Sequence, residues 1–378
     1  MDRVTHIIDP DGEVVIILRN ANTPFAELDE DMVASIASQP AEVSTPEPAE
    51  ENGLAPAEQP PEQQAEQQPE EEPEEQLQQP EQPAEDPIEI GGETEDETCF
   101  RIQVSAKHLM LASPYFKKLL TGRWRESVAY QHKGSIELPE EGWDINAFLI
   151  LLRAIHSQHY RIPRTLTVEM LAKGTVLADY YKCEEAISVW TTIWINALEE
   201  EIPSTYSRDL FLWLWISWYF KLPKQFKQAT STAMSRSDNW IKNGPGLPIP
   251  AKVINAMNDR REEAINNLIQ VLHDTREALL SGTRGCGFEC SSIMYGALSK
   301  EMRSNDLLPS RPAAPFANLN YASLVQKVSS FSSPQWYGPY SSYSGHRPRY
   351  CHSCSDSSFT YLFGELNHAI EGLDLDKL

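Results

Sequence analysis

Apolar residues near the start of the chain fall into two short runs separated by a turn. Ile7 and Ile8 precede Asp9-Pro10-Asp11-Gly12, in which Pro fixes φ and Gly eases a reversal. Val14-Val15-Ile16-Ile17-Leu18 is apolar on both faces, the pattern of a buried strand. Together these residues predict a β-hairpin over 6–18. A third strand is expected at 100–104, where apolar and polar residues alternate, and Ser105 is placed to cap a short helix through Leu111. Ser113-Pro114 marks a second helix start, with Tyr115, Phe116, Leu119 and Leu120 on one face. A short strand follows at 136–138. Asp144 then precedes Ile145, Phe148, Leu149, Leu152 and Ile155, which recur at helical spacing. Two more helices are predicted at 168–181 and 184–198.

The second half reads as helical. An aromatic-rich helix is predicted at 209–226, with Trp215, Trp218 and Tyr219 sharing a face at core spacing. Asn243-Gly244-Pro245-Gly246 ends a helix near Ile241. A long amphipathic helix is expected over 249–280, striped by Val253, Met257, Ala264, Leu268, Val271 and Leu279. The stretch 307–350, rich in Pro, Ser and Tyr, reads as loop. A last helix at 361–373 presents Leu362, Leu366, Ile370 and Leu373. No internal repeat is visible, and a domain boundary is placed at 198/199.

Charge changes this picture at one place. The chain of 378 residues has a net charge of −23, yet 41–98 alone carries 20 Asp or Glu and 10 Pro with no Lys or Arg. The other 320 residues hold 35 acids and 32 bases, a net of −3. The acidic segment lacks aromatic residues and cannot bury enough apolar surface to offset the entropy of ordering, so it is expected to be a disordered, extended, solvated insert. The near-neutral remainder excludes no class of partner by charge.

The N-terminus opens without a basic region, and the most apolar stretch, 210–222, contains Ser217 and Lys221 and is shorter than the ~20 residues of a spanning helix. An intracellular address, cytoplasmic or nuclear, is therefore expected, with no membrane partner. In that setting six cysteines read as free thiols or metal ligands rather than disulfides. No nucleophile elbow, phosphate loop, dinucleotide fingerprint or His-Glu-x-x-His motif occurs, so no catalytic residues are assigned. His156 and His159 read as a surface pair without a third ligand. His346-Arg347-Pro348-Arg349 is too short for a nucleic-acid patch.

One constellation carries metal chemistry. Cys286-Gly287-Phe288-Glu289-Cys290 follows Gly282 and Gly285, which free the backbone to turn, and Tyr350-Cys351-His352-Ser353-Cys354 supplies more soft ligands. Four such ligands in two clusters suit tetrahedral zinc. Spacing leaves two choices for the second cluster: Cys351 with Cys354, as in a zinc knuckle, or His352 with Cys354, alternating on an extended strand.

The string Leu109-Met110-Leu111-Ala112-Ser113-Pro114-Tyr115-Phe116-Lys117-Lys118-Leu119-Leu120, preceded by His108, resembles the BTB/POZ domain. Trp124-Arg125-Glu126-Ser127 resembles the apolar-x-Glu-Ser segment of that family, and Ile136-Glu137-Leu138 its next strand. The likeness covers about residues 4–198 outside the acidic insert. The layout is most similar to BTB proteins of filamentous fungi, which continue into a helical C-terminal half. The resemblance implies an α+β BTB/POZ-like domain over 1–198, a short β-sheet with helical hairpins interrupted by the insert at 40–98. A mainly α-helical, zinc-stapled domain over 199–378 would follow. In those fungal proteins Cys-x3-Cys is followed by His-x-Cys, which selects Cys286, Cys290, His352 and Cys354 as ligands and holds Cys351 in reserve. A full ligand shell makes the zinc structural. The family implies a non-enzymatic protein-interaction adaptor or scaffold that homodimerises or engages cullin-3, with Trp124 and Glu126 at the cullin contact. The alternative is a nuclear transcription co-regulator that recruits partners through the BTB-like domain and the acidic segment.

Overall fold

The computed structural model describes residues 5–28, 99–123, 125–336, 352 and 354–378. The acidic insert lies outside the described residues. Those that are described belong to one compact unit whose apolar core runs without a break from Ile8 to Leu373. The architecture is mixed α/β and mostly helical.

A four-stranded sheet is built from β1 (His6–Ile7), β2 (Val14–Arg19), β3 (Phe100–Val104) and β4 (Ile136–Glu141) in the order β1-β3-β2-β4. β2 is central. It pairs antiparallel with β3, setting Val14 opposite Val104 and Ile16 opposite Ile102, and parallel with β4, setting the same residues opposite Ile136 and Leu138. All six side chains are buried. The predicted hairpin does not form, because β3 lies between its two arms and β1 runs parallel to β3. Gly12 lets the connection lie flat on β3: a Cβ there would stand 2.5 Å from the carbonyl of Val104.

Two helices follow β3, α1 (Ala106–Ala112) and α2 (Pro114–Thr121), then α3 (Arg125–Lys133). Ser105 flanks α1 without a side-chain capping bond, whereas the Ser113 hydroxyl caps α2 by accepting from the Phe116 N–H. After β4, Asp144 caps α4 (Ile145–Ile155) by accepting from Asn146 and Ala147, and its other oxygen takes the Lys173 ammonium at 3.0 Å. Burial alone would raise the Asp144 pKa, but these N–H groups and the Lys173 ammonium together hold it below the ordinary value. α5 (Val168–Tyr180) and α6 (Glu184–Ala197) complete this half. Tyr181, just past α5, is fully buried between Phe116 and Phe148, with ring centroids at 4.8 and 5.6 Å and nearly parallel planes. That stack binds α2, α4 and the end of α5 into one core.

Among the described residues of 199–378 the only regular elements are helices. α7 (Arg208–Tyr219) is buried on every side over 210–217, as expected of an apolar helix inside a core. The single helix predicted at 209–226 is two, because Lys221 takes a positive φ and Pro223 opens α8 (Pro223–Arg236). α8 ends at Arg236, ahead of the stop expected near Ile241. α9 (Ala251–Leu280) confirms the long amphipathic helix, though Val271 points to solvent and Ile265, Ile269 and Leu272 join the buried stripe. α10 (Phe288–Ser304) packs beside it. Inside the predicted loop lies α11 (Tyr321–Ser329), capped by Asn320. The last predicted helix shrinks to α12 (Phe359–Phe363); beyond it Ile370 and Leu373 are buried as irregular chain. Among the described residues no helix is long and apolar enough to cross a membrane.

Candidate metal centre

The end of α9 is shaped to deliver a cysteine. Ser281 and Gly282 close its last turn, the Arg284 N–H returns to the Ala278 carbonyl at 3.0 Å, and Gly282 and Gly285 take positive φ. At Gly285 a Cβ would lie 2.9 Å from the Ser291 nitrogen, so this reversal needs glycine. Cys286 emerges exposed just before α10, and Cys290 lies buried in its first turn. The second arm arrives from far along the chain. Cys354 opens a tight turn in which its carbonyl accepts from the Ser357 N–H at 3.0 Å and the Ser357 hydroxyl at 2.8 Å. The Gly285 N–H donates to the Asp356 carboxylate at 2.9 Å, fastening the two arms together. Trp336 donates its indole N–H to the Ser357 carbonyl and lays its ring 4.5 Å from that of His352.

Cys286, Cys290, His352 and Cys354 converge so that their ligand atoms all lie within 4.8 Å of one another. The Cys290 and Cys354 sulfurs are 3.7 Å apart, and the Cys286 sulfur is 3.4 Å from His352 Nε2. A tetrahedral ion with metal–sulfur bonds of about 2.3 Å and metal–nitrogen bonds of about 2.0 Å requires S···S and S···N edges of about 3.8 and 3.5 Å. The cluster has the size for one metal ion. Burial pushes the Cys290 thiol up to about 11. Burial acts the same way on Cys354, but the Asp356 N–H and the Cys290 thiol outweigh it and the net shift is downward.

The four residues selected from the sequence are thus brought together; Cys351 lies outside the described residues. The supporting groups Asp356, Ser357 and Trp336 were not anticipated, although a serine three residues past Cys354 is a turn signal. Trp124 also lies outside the described residues. Glu126 stands partly exposed in the first turn of α3.

His156 and His159 do not form a pair. The His156 ring joins two elements: its Nε2 accepts from the Ser105 N–H at 3.0 Å and its Nδ1 donates to the Leu152 carbonyl at 2.8 Å. His108 stacks on it at 4.9 Å, while His159 leans on Trp190. Burial, the largest influence, holds the His156 pKa below 6.5, and burial lowers His6 and His273 likewise. The unfolded chain therefore binds more protons just below pH 6.5, so stability is fully present above that value and is lost as pH falls through the folded pKa. Unfolding midpoints are expected to drop between pH 7.5 and 5.5, with a smaller drop in His156→Gln. Equal slopes would show that His156 plays no part.

No family model matches this chain, and no curated protein matches it.

Proposed function

We propose that the chain is a non-enzymatic protein-interaction adaptor whose N-terminal half is BTB/POZ-like, and that its three cysteines and one histidine hold a structural zinc ion. The observation that carries the adaptor reading is the α1–α2 hairpin, which follows directly on a short sheet. That hairpin bears His108 and Ser113-Pro114-Tyr115-Phe116 at its turn, with Glu126 opening the next helix and β4 beyond it. This is the order that the BTB-like string implies. The zinc reading is supported by four ligand atoms within 4.8 Å of one another, two of the separations being 3.4 and 3.7 Å, a set that would fill a structural site and leave no place for a reacting water. The partners are proteins: a second copy of this chain, and cullin-3 bound across the Glu126 face. The proposed address is intracellular.

Recovery of cullin-3 on the immobilised full chain tests this reading. Wild type is expected to capture it, and Glu126→Lys to capture at least about tenfold less, the cost of reversing one charge at an interface. If wild type captures none, the cullin-adaptor role falls.

A further inference from the structure

The sulfurs of the metal centre are not equivalent. Cys290 is buried and Cys354 is half-buried at the head of its turn. Cys286 is the exposed member, on the rim of the cluster, with His352 Nε2 as its near neighbour. Its sulfur also lies within 4.8 Å of two further sulfurs able to close a disulfide. The geometry points to Cys286 as the site at which a peroxide oxidises the loaded centre and ejects its metal. This rests on the zinc reading above.

The electron balance is complete with a peroxide as the only co-reactant. The Cys286 thiolate attacks one peroxide oxygen, the O–O bond breaks, and hydroxide leaves, giving a sulfenic acid. The Cys290 or Cys354 thiolate then attacks that sulfur. The S–S bond forms, the S–O bond breaks and a second hydroxide departs. Two electrons pass from sulfur to oxygen, and two protons from solvent complete two waters. Zinc keeps its oxidation state and leaves because two of its anionic ligands have become a neutral disulfide. With Cys290 as the partner, the metal link between the 354–358 turn and the start of α10 is lost; with Cys354 it is replaced by a covalent one. In either case the centre is an oxidant-sensitive fastening of that turn.

The test uses the full chain with Cys99→Ser, which removes an exposed thiol of no part in the cluster. Zinc is measured before and after stoichiometric hydrogen peroxide with a chromogenic chelator, and disulfides are mapped by mass spectrometry. The expected result is release of about one zinc per disulfide formed. That disulfide contains Cys286 joined to Cys290 or Cys354, and reductant plus zinc reverses the reaction. In untreated loaded protein, iodoacetamide should label Cys286 before the other two. Less than about half an equivalent of zinc at the outset overturns the zinc reading and this inference with it. Full zinc that stays bound under peroxide, or leaves with a disulfide lacking Cys286, overturns the inference alone.

Discussion

Cys290→Ala is expected to carry no zinc where wild type carries about one equivalent, and to lose the fold around the 352–363 segment. Cys290 is the buried ligand, and the other three approach it from two arms more than 60 residues apart in sequence. Apart from the ligand contacts themselves, the polar links between those arms among the described residues are the Gly285–Asp356 hydrogen bond and the distant Arg284–Asp356 pair at 3.9 Å. Structural zinc in isolated small domains is worth about 10–16 kcal/mol. Here only part of that appears as global stability, because Met294, Leu298 and Met302 keep α10 docked on α9 in either state. The unfolding midpoint should fall by roughly 5 °C or more, equivalent to about 2 kcal/mol. Amide hydrogen exchange should rise sharply at 286–291 and 352–363 while the buried face of α9 stays protected. A chelator applied to wild type should reproduce the change and added zinc reverse it. A Cys290→Ala protein that still binds an equivalent of zinc, or exchanges as wild type does, would remove the ion from the account of this fold.

How far these features were legible depends on whether the deciding contact was local. Strand β3 and helices α2, α4 and α9 are written into short windows by alternation, by Ser113-Pro114, by Asp144 and by a long apolar stripe. The metal ligands were legible for a different reason: few residue types make soft ligands, and the two positive-φ glycines before Cys286 mark the turn that delivers it. The hairpin failed because turn chemistry at 9–12 says only that the chain bends. The partner of β1 is chosen by backbone bonds such as Ile8 N–H to the Gln103 carbonyl, from a strand more than 90 residues away. Helix α11 was hidden by its Pro- and Ser-rich surroundings, although Asn320 followed by Leu324, Val325 and Val328 is a cap with a helical stripe. The last helix ends at Phe363 and cannot extend to 373 as predicted, because at Gly372 the chain lies flat on α8. A Cβ there would overlap the Lys227 carbonyl. No local pattern encodes that approach.

The same limit hid the polar residue on which the irregular parts of the C-terminal half depend. Arg261 sits on the stripe of α9 that sequence reasoning assigns to apolar residues, and it is 1% exposed. Its guanidinium donates to the carbonyls of Ser237, Pro315, Phe316 and Leu319 at 2.8–3.3 Å. One turn earlier Asn258 both accepts from and donates to the backbone of Ile241. Between them they satisfy the chain leaving α8 and the chain entering α11, two segments with no ladder of their own. Burial lowers the Arg261 pKa and Asp238 opposes that shift; the group remains a cation at neutral pH. Arg261→Met keeps most of the volume but removes the donor from the carbonyls of Ser237, Pro315 and Leu319, while that of Phe316 keeps the Leu319 N–H. Since each unsatisfied buried acceptor costs about 1–3 kcal/mol and the carbonyls can partly relax together, a loss of roughly 4 kcal/mol is expected in urea unfolding. Arg261→Lys keeps the charge, but its compact ammonium cannot span the fork, so more than half of that loss should remain. The two substitutions separate charge from geometry. A lysine variant as stable as wild type would mean that only a cation is needed, and a methionine variant within about 0.5 kcal/mol of wild type would mean that the carbonyls find other donors.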